Sequence, residues 1–165
     1  MKYPASTVQT SYDSPLGRII LAASGQRLVG VWFEGQRHQP DTSSWPANPE
    51  HPVLQQARGQ LSEYFAGLRT SFELPLDLSA GTAFQQKVWR ALLKIPGGAT
   101  RSYAALSADI GKPAAARAVG GAVGRNPLSI IVPCHRVVGA AGALTGYAGG
   151  RERKTALLQL EGALE

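Results

Sequence analysis

Cysteine is almost absent from this sequence, since Cys134 is the only one among 165 residues. A single cysteine excludes an internal disulfide bond and a zinc site built from several thiolates. Cys134 is therefore either a small apolar residue of the core or a reactive thiol. The residue alone does not decide between these two roles.

Long apolar runs are also absent. No segment reaches the roughly 18 to 20 apolar residues that a membrane-spanning helix needs. Residues 1–4 are not followed by the apolar stretch of a signal peptide. We therefore expect a cytoplasmic protein with no membrane segment.

Acidic residues are scarce in the second half of the chain. Six basic and seven acidic residues precede Thr82, whereas eleven basic and four acidic residues are found from Thr82 onward. This asymmetry favours binding of a polyanion to the second half. A solvated basic surface would have the same composition, so the charge leaves both interpretations open.

The first half has the patterns of a small α/β unit. The apolar runs 18–23 and 27–33 are separated by a Ser-Gly turn, which predicts a β-hairpin. Apolar residues at three- and four-residue spacings predict a helix over 53–65. A further short strand is predicted over 71–78.

No catalytic constellation is evident in this first half. His38 and His51 lie in polar, loop-like sequence, and both are interpreted as surface histidines. The small residues 79–81 are a plausible boundary. We therefore predict a scaffold domain over residues 1–80 and a second domain over residues 81–165.

The second domain begins with a helical pattern. Thr82 is suited to cap a helix whose apolar residues recur on one face over 84–95. Two further helices are predicted over 102–109 and 114–123, joined by a glycine turn at 111–113. Helix, tight turn and helix form the helix-turn-helix pattern, which also occurs in proteins that do not bind DNA.

The helix over 114–123 consists almost entirely of small residues around Arg117. A helix that reads the major groove normally presents several long polar side chains, and this one does not. Close packing in the core would explain the small residues. A shallow approach to a minor groove, with Arg117 entering the base stack, would explain the arginine as well.

The chain then leads to the thiol. A turn is predicted at 125–127 and a short buried strand over 128–132. A neighbouring imidazole can lower a thiol pKa, but successive side chains of a strand point to opposite faces. His135 can therefore serve Cys134 only if the backbone bends near Pro133 or a water molecule relays the proton.

The last segment offers a loop and a helix. Tyr147, in the glycine-rich loop 139–150, is either an anchor for the loop or a wall for a flat base. Glu161 follows the predicted helix 152–160, where a carboxylate faces the unfavourable end of the helix dipole. His135 is a candidate partner for Glu161, and a solvated terminal glutamate is the ordinary alternative. The predicted helix buries Leu157, Leu158 and Leu160.

Together these residues resemble the O6-alkylguanine-DNA alkyltransferase family, also called methylated-DNA–protein-cysteine methyltransferases. Residues 14–17 and the strands after them resemble the N-terminal domain of that family, so the resemblance covers nearly the whole chain. It implies an α/β, ribonuclease H-like N-terminal domain with a small sheet and a mainly α, winged-helix-like C-terminal domain with a helix-turn-helix. The motifs that carry the resemblance are Phe84-Gln85-Gln86-Lys87-Val88-Trp89, Ile95-Pro96-Gly97-Gly98-Ala99-Thr100-Arg101-Ser102-Tyr103, Ala115-Ala116-Arg117-Ala118-Val119-Gly120, Asn126-Pro127 and Ile131-Val132-Pro133-Cys134-His135-Arg136-Val137-Val138.

The resemblance implies a chemistry for the site. Cys134 would attack the alkyl carbon on guanine O6 and keep the alkyl group, so each molecule would act once. His135 would act as a base through a water molecule, with Glu161 orienting it. Tyr103 would donate toward the guanine ring, and Asn126 would hold the turn before the site.

The resemblance also implies binding residues. Arg117 would fill the base stack after the damaged nucleotide is flipped out. Ala148 stands where many relatives have serine, so any side-chain hydrogen bond there is lost. The expected DNA contacts are Arg117, Ala118, Gly120, Tyr103 and Arg136, and the expected pocket residues are Tyr147, Ala148 and Val137.

The implied partner is double-stranded DNA that contains O6-alkylguanine, and O4-alkylthymine is a second possible substrate. Binding would be through the minor groove, with no obligate protein partner, and neither a metal nor another cofactor is expected. Three alternatives are a non-catalytic sensor of alkylated DNA, a helix-turn-helix regulator and a cysteine hydrolase of small molecules. The presence of Cys134 argues against the sensor, and the lack of base-reading side chains argues against the regulator. The basic second half argues against the hydrolase.

Overall fold

The computed structural model describes residues 1–165, and its first part is a three-stranded antiparallel sheet. The strands are β1 (Val8–Ser14), β2 (Gly17–Ser24) and β3 (Arg27–Phe33), with β2 in the centre. Strands β2 and β3 confirm the predicted hairpin. Strand β1 was not predicted, because it is a mostly polar edge strand with none of its residues buried.

Helix α1 (Pro52–Phe65) packs its apolar face on this sheet, as the spacing predicted. His51 is more than a surface histidine, because its Nδ1 accepts a hydrogen bond from the Val53 N–H and so caps the helix. The strand predicted over 71–78 is wrong. Only Leu76 makes an isolated bridge, to Leu28, in a segment whose Pro75 has no N–H to donate to a ladder.

The second part is mainly helical. Its elements are α2 (Ala83–Leu92), β4 (Arg101–Ser102), α3 (Tyr103–Asp109), α4 (Ala116–Gly124), β5 (Val137–Val138) and α5 (Arg151–Leu160). Thr82 caps α2 as predicted, and it forms a reciprocal capping box with Gln85. Helices α3 and α4 form the predicted helix-turn-helix pair, although α4 begins at Ala116 rather than at residue 114. Strands β4 and β5 pair in parallel.

Strand β3 holds the segment that precedes the thiol. The Val31 N–H donates to the Pro127 carbonyl at 2.8 Å, and the Ser129 N–H donates to the Val31 carbonyl at 2.9 Å. The buried strand predicted over 128–132 is nevertheless wrong. Ile130 has a φ of 73°, a left-handed conformation that a β-branched residue rarely adopts, so the chain turns instead of extending.

Both parts share one apolar core of 28 buried residues. Leu157 and Leu158 of α5 are fully buried, as predicted, but Leu160 is 37% exposed, so its predicted burial is wrong. None of the helices has the length and apolar character that crossing a membrane requires. The sheet, α5 and the core therefore fix the short segment around Cys134 between the two parts.

Candidate active site

Cys134 sits at a sharp bend of the backbone. Pro133 has φ −81° and ψ 63°, and the Cys134 N–H donates to the Val132 carbonyl at 2.8 Å, which is the geometry of an inverse γ-turn. Cys134 then begins a 3-10 turn over Cys134–Arg136. The bend expected near Pro133 is therefore present, and the thiol does not lie on a strand.

Asn126 holds this bend from the other side. Its Nδ2 donates to the Val132 carbonyl at 2.7 Å, and its Oδ1 accepts from the Leu128 N–H at 2.9 Å. The side chain of Asn126 is buried and links the end of α4 to the residue two positions before Cys134. These contacts are the ones that its expected role in holding the turn requires.

The thiol is buried, with 4% of Cys134 exposed. Burial raises the pKa of the Cys134 thiol to about 11, and the Asn126 side chain and the charge of Lys154 act in the opposite direction. At neutral pH the resting residue is therefore a thiol rather than a thiolate. A base is needed to take its proton when it reacts.

His135, the next residue along the chain, is the candidate for such a base. Its Nε2 lies 2.8 Å from Oε2 of Glu161, and both side chains are fully buried. An ionised carboxylate only accepts hydrogen bonds, so Nε2 carries the ring proton and Nδ1 carries the lone pair. Burial lowers the pKa of His135, which keeps the ring neutral, and Nδ1 has no hydrogen-bond partner within the protein.

Glu161 has hydrogen-bond partners in addition to His135. The Tyr64 hydroxyl donates to its Oε2 at 2.6 Å, and Arg136 donates to Oε1 at 2.8 Å and to Oε2 at 2.9 Å. Burial by itself would raise the pKa of Glu161, but the hydrogen bonds from His135, Arg136 and Tyr64 lower it to about 2. The predicted pairing of Glu161 with His135 is thus part of a larger buried network.

Arg136 is not a DNA contact, contrary to its expected role. Its side chain is 6% exposed, and apart from Glu161 it donates to the Ile95 carbonyl at 2.6 Å and to the Thr70 carbonyl at 2.9 Å. Four of its five N–H groups are thus used inside the protein, and this enclosed guanidinium does not present a face to DNA phosphates. Arg136 therefore fixes Glu161 and joins the site to the first part of the chain.

Val137 is not a pocket residue either, because it is fully buried and lies outside the lining of the cavity. Its carbonyl accepts a hydrogen bond from Nζ of Lys154 at 2.6 Å. Lys154 belongs to α5 and is itself fully buried, and its positive charge lowers the pKa of Cys134. A buried lysine beside a thiol favours the thiolate once the proton can leave.

The thiol opens into a cavity of about 290 Å³. Tyr103, Gly120, Tyr147 and Ala148 line it, so four expected site residues surround the thiol. Thr145 donates to the hydroxyl oxygen of Tyr103 at 3.2 Å, which leaves the phenol hydrogen free to point at a ligand. The complete lining is Arg37, His38, Tyr103, Gly120, Gly121, Val123, Gly124, Arg125, Cys134, Gly146, Tyr147 and Ala148.

Tyr147 forms a wall of this cavity, with its ring centroid 6.4 Å from that of His135 and close to perpendicular to it. Its hydroxyl is buried without a hydrogen-bond partner.

Two of the expected DNA contacts lie outside the cavity. Arg117 and Ala118 are exposed on α4, on a surface where small side chains allow a close approach.

Several residues of the site were not predicted from the sequence. Tyr64 was interpreted only as part of an apolar helix face, and no pattern marks a phenol that will reach a carboxylate 97 positions away. The sequences around Lys154 and Thr145 likewise contain no pattern that predicts a role in the site. Arg37 and His38 lie in the half that was assigned a scaffold role, yet they line the cavity.

A small sheet domain, a helix-turn-helix domain and a cavity ending in a thiol beside a buried His-Glu pair define a DNA-binding group-transfer protein. Residues 7–78 match the model of the 6-O-methylguanine DNA methyltransferase ribonuclease-like domain, and residues 83–163 match that of the DNA binding domain. The chain therefore belongs to the 6-O-methylguanine DNA methyltransferase family. The predicted fold class and family are thereby confirmed.

Individual relatives agree with this assignment. The methylated-DNA–protein-cysteine methyltransferase of Mycobacterium leprae is 52% identical over 151 residues, which cover 92% of this chain and 90% of that protein. The constitutive enzyme of that name from Bacillus subtilis is 49% identical over 156 residues, covering 92% and 93% of the two chains. The activity is thus direct-reversal DNA repair by methyl transfer to a protein cysteine.

Solved structures support the same fold. The Mycobacterium tuberculosis O6-methylguanine methyltransferase has a TM-score of 0.87 at 49% identity, covering 96% of this chain and 94% of that one. A structure of Mycobacterium tuberculosis OGT in complex with DNA has a TM-score of 0.86 at 50% identity, covering 94% and 92%. That neighbour binds DNA, and residues 83–163 of this chain match the DNA binding domain of the family.

Proposed function

We propose that this chain flips O6-alkylguanine out of double-stranded DNA and transfers the alkyl group irreversibly to Cys134. The observation that carries this proposal is the position of the thiol. It lies at the end of a cavity with an aromatic wall, next to a neutral imidazole whose orientation is fixed by a buried carboxylate. Such a cavity suits one flat base and one displacement at sulfur.

The proposed displacement forms one bond at sulfur and breaks one bond at guanine O6. The sulfur of Cys134 bonds to the alkyl carbon while the bond from that carbon to guanine O6 breaks, and the electron pair of that bond stays with the guanine. The thiol proton passes through a water molecule to Nδ1 of His135, and Glu161 stabilises the imidazolium that forms. Tyr103 donates to the guanine ring, which relieves the negative charge of the leaving base.

Flipping follows from the burial of the thiol. A base within the duplex cannot bring its O6 atom to the thiol of a residue that is only 4% exposed and lines a cavity. Helix α4 offers an approach to the minor groove, because its exposed face has Arg117 among small residues. Arg117 occupies the space that the flipped nucleotide leaves.

Stoichiometry tests the proposed function. Because a thioether is not hydrolysed in water at neutral pH, each protein molecule should accept one methyl group and then remain inactive. Duplex DNA with one O6-methylguanine per molecule should therefore be repaired in an amount equal to that of the protein and no more. Restored guanine is counted by digestion and chromatography after mixing the protein with increasing excesses of DNA. Repair beyond one equivalent would contradict the proposal, and binding without repair would favour a non-catalytic sensor.

Replacement of Arg117 by alanine should slow repair of duplex DNA by about tenfold or more, since unstacking a base is worth a few kcal/mol and about 1.4 kcal/mol is tenfold. Reaction with free O6-benzylguanine needs no flipping and should slow much less. Single-turnover rates with both substrates give the comparison. Equal losses with the two substrates would rule out a role for Arg117 in flipping.

A further inference from the structure

We propose that Arg37, His38 and Arg125 form a DNA contact at the mouth of the Cys134 cavity, where they bind backbone phosphates of the strand that carries the flipped nucleotide. We name these three residues the cationic rim. This inference rests on the proposed function and extends it. It gives the N-terminal domain a direct part in holding the DNA.

The rim is assembled from two distant parts of the sequence. Arg37 and His38 follow strand β3, and Arg125 is the C-cap residue directly after helix α4. All three side chains are exposed, and all three line the cavity that contains the thiol. A nucleotide that enters this cavity must bring its own phosphates past them.

The position of the rim is fixed by contacts between the domains. The Arg37 N–H donates to the carbonyl of Ala148, in the loop that walls the cavity, at 3.0 Å. The Oε1 atom of Gln36 accepts from the Phe33 N–H at 2.8 Å and from the Ser129 hydroxyl at 3.1 Å. The segment after β3 is therefore anchored to the same segment that leads to Cys134.

The charge of the rim is unopposed. The ion pairs of the chain involve neither Arg37 nor Arg125. Burial and, after it, the nearby charges of Arg125 and Arg37 lower the pKa of His38, so this imidazole is neutral at neutral pH and the two guanidinium groups supply the charge of the rim. Like charges gathered without an acidic partner repel, and an anion bound between them would relieve that repulsion.

A neighbouring groove continues this surface. It has a volume of about 700 Å³, shares His38 and Arg125 with the cavity, and is lined by no acidic residue. The lining of the cavity contains no acidic residue either. A guanidinium binds a phosphate through two parallel hydrogen bonds, so two arginines separated along such a surface suit successive phosphates of one strand.

The test measures the salt dependence of DNA affinity. A protein with Arg37→Ala and Arg125→Ala is compared with the parent, both with Cys134→Ser to prevent reaction, on duplex DNA with one O6-methylguanine. Each lost phosphate contact should reduce the slope of log affinity against log salt by about 1, hence by about 2 for the pair. At low salt the affinity should fall by about tenfold or more.

Two matched variants complete the experiment. Arg58→Ala removes one exposed charge on helix α1, outside the cavity and the groove, and should change neither the slope nor the affinity. The double variant with Arg37→Lys and Arg125→Lys retains the charges and should keep most of the parent slope. Thermal unfolding of each variant checks that the fold is retained.

The outcomes separate this inference from the proposed function. If the unmutated chain does not alkylate Cys134, the proposed function fails. If it does so but the double alanine variant keeps the parent slope, the rim is not a phosphate site. A loss of affinity with an unchanged slope would also overturn the inference.

Discussion

Replacing Glu161 by glutamine should reduce the free energy of unfolding at pH 7 by about 3–5 kcal/mol, the range for breaking a buried ion pair by removing one partner. The loss is large because the carboxylate accepts hydrogen bonds from Tyr64, His135 and Arg136 at once. The amide leaves a buried guanidinium without its counter-charge. Urea unfolding followed by circular dichroism measures the change.

The same substitution should change the dependence of stability on pH. The pKa of Glu161 is about 2 in the folded chain and 4.5 as its ordinary value, so its contribution is fully present above pH 4.5 and is lost as the pH falls toward 2. The glutamine variant should therefore lose less stability than the unmutated chain over this interval. Tyr64→Phe is the control, because it retains the carboxylate, and it should lose only about 1.5–3 kcal/mol at pH 7. A glutamine variant within 1 kcal/mol of the unmutated chain at pH 7 would contradict this account of the network.

Replacing Cys134 by serine should reduce alkyl transfer by roughly 10⁴-fold or more, because a serine hydroxyl is a far weaker nucleophile than a thiolate. The two side chains are similar in size, so the buried bend at Pro133 should be retained. DNA affinity should also be retained, since the thiol contributes no charge to the binding surface. Rapid-quench transfer assays and fluorescence anisotropy measure the two properties.

His135→Gln is the matched variant for this experiment. It should slow transfer while leaving Cys134 in place, and the loss should be smaller than that of the serine variant because the nucleophile remains. A serine variant that transfers alkyl groups at the unmutated rate would show that another residue is the acceptor. A serine variant that no longer binds DNA would show that the substitution has disturbed more than the reaction.

Much of the fold was predictable because local chemistry decides it. Thr82 with Gln85 specifies the start of α2, and the apolar spacing over 53–65 specifies α1. The segment 128–132 was predicted wrongly because an apolar run is compatible with a strand. The left-handed Ile130 and the hydrogen bonds of Asn126 depend on packing that no local pattern reveals.

The site was predictable to the extent that motifs mark it. Cys134, His135 and Glu161 were named from the sequence, and the structure brings the last two into contact. The resemblance implied that Arg136 contacts DNA, and only the fold shows that it is enclosed by Glu161 and backbone carbonyls. Residues contributed from far along the chain, such as Tyr64, carry no sequence signal.

Cys134 is proposed to be the single, permanent acceptor of the alkyl group. The most direct measurement is the intact mass of the protein after reaction with duplex DNA that contains one O6-methylguanine, followed by peptide mapping. The protein should gain one CH₂ unit per molecule, located on Cys134, with no further gain when more DNA is added. An unmodified Cys134 after the DNA has been repaired would contradict this role of Cys134.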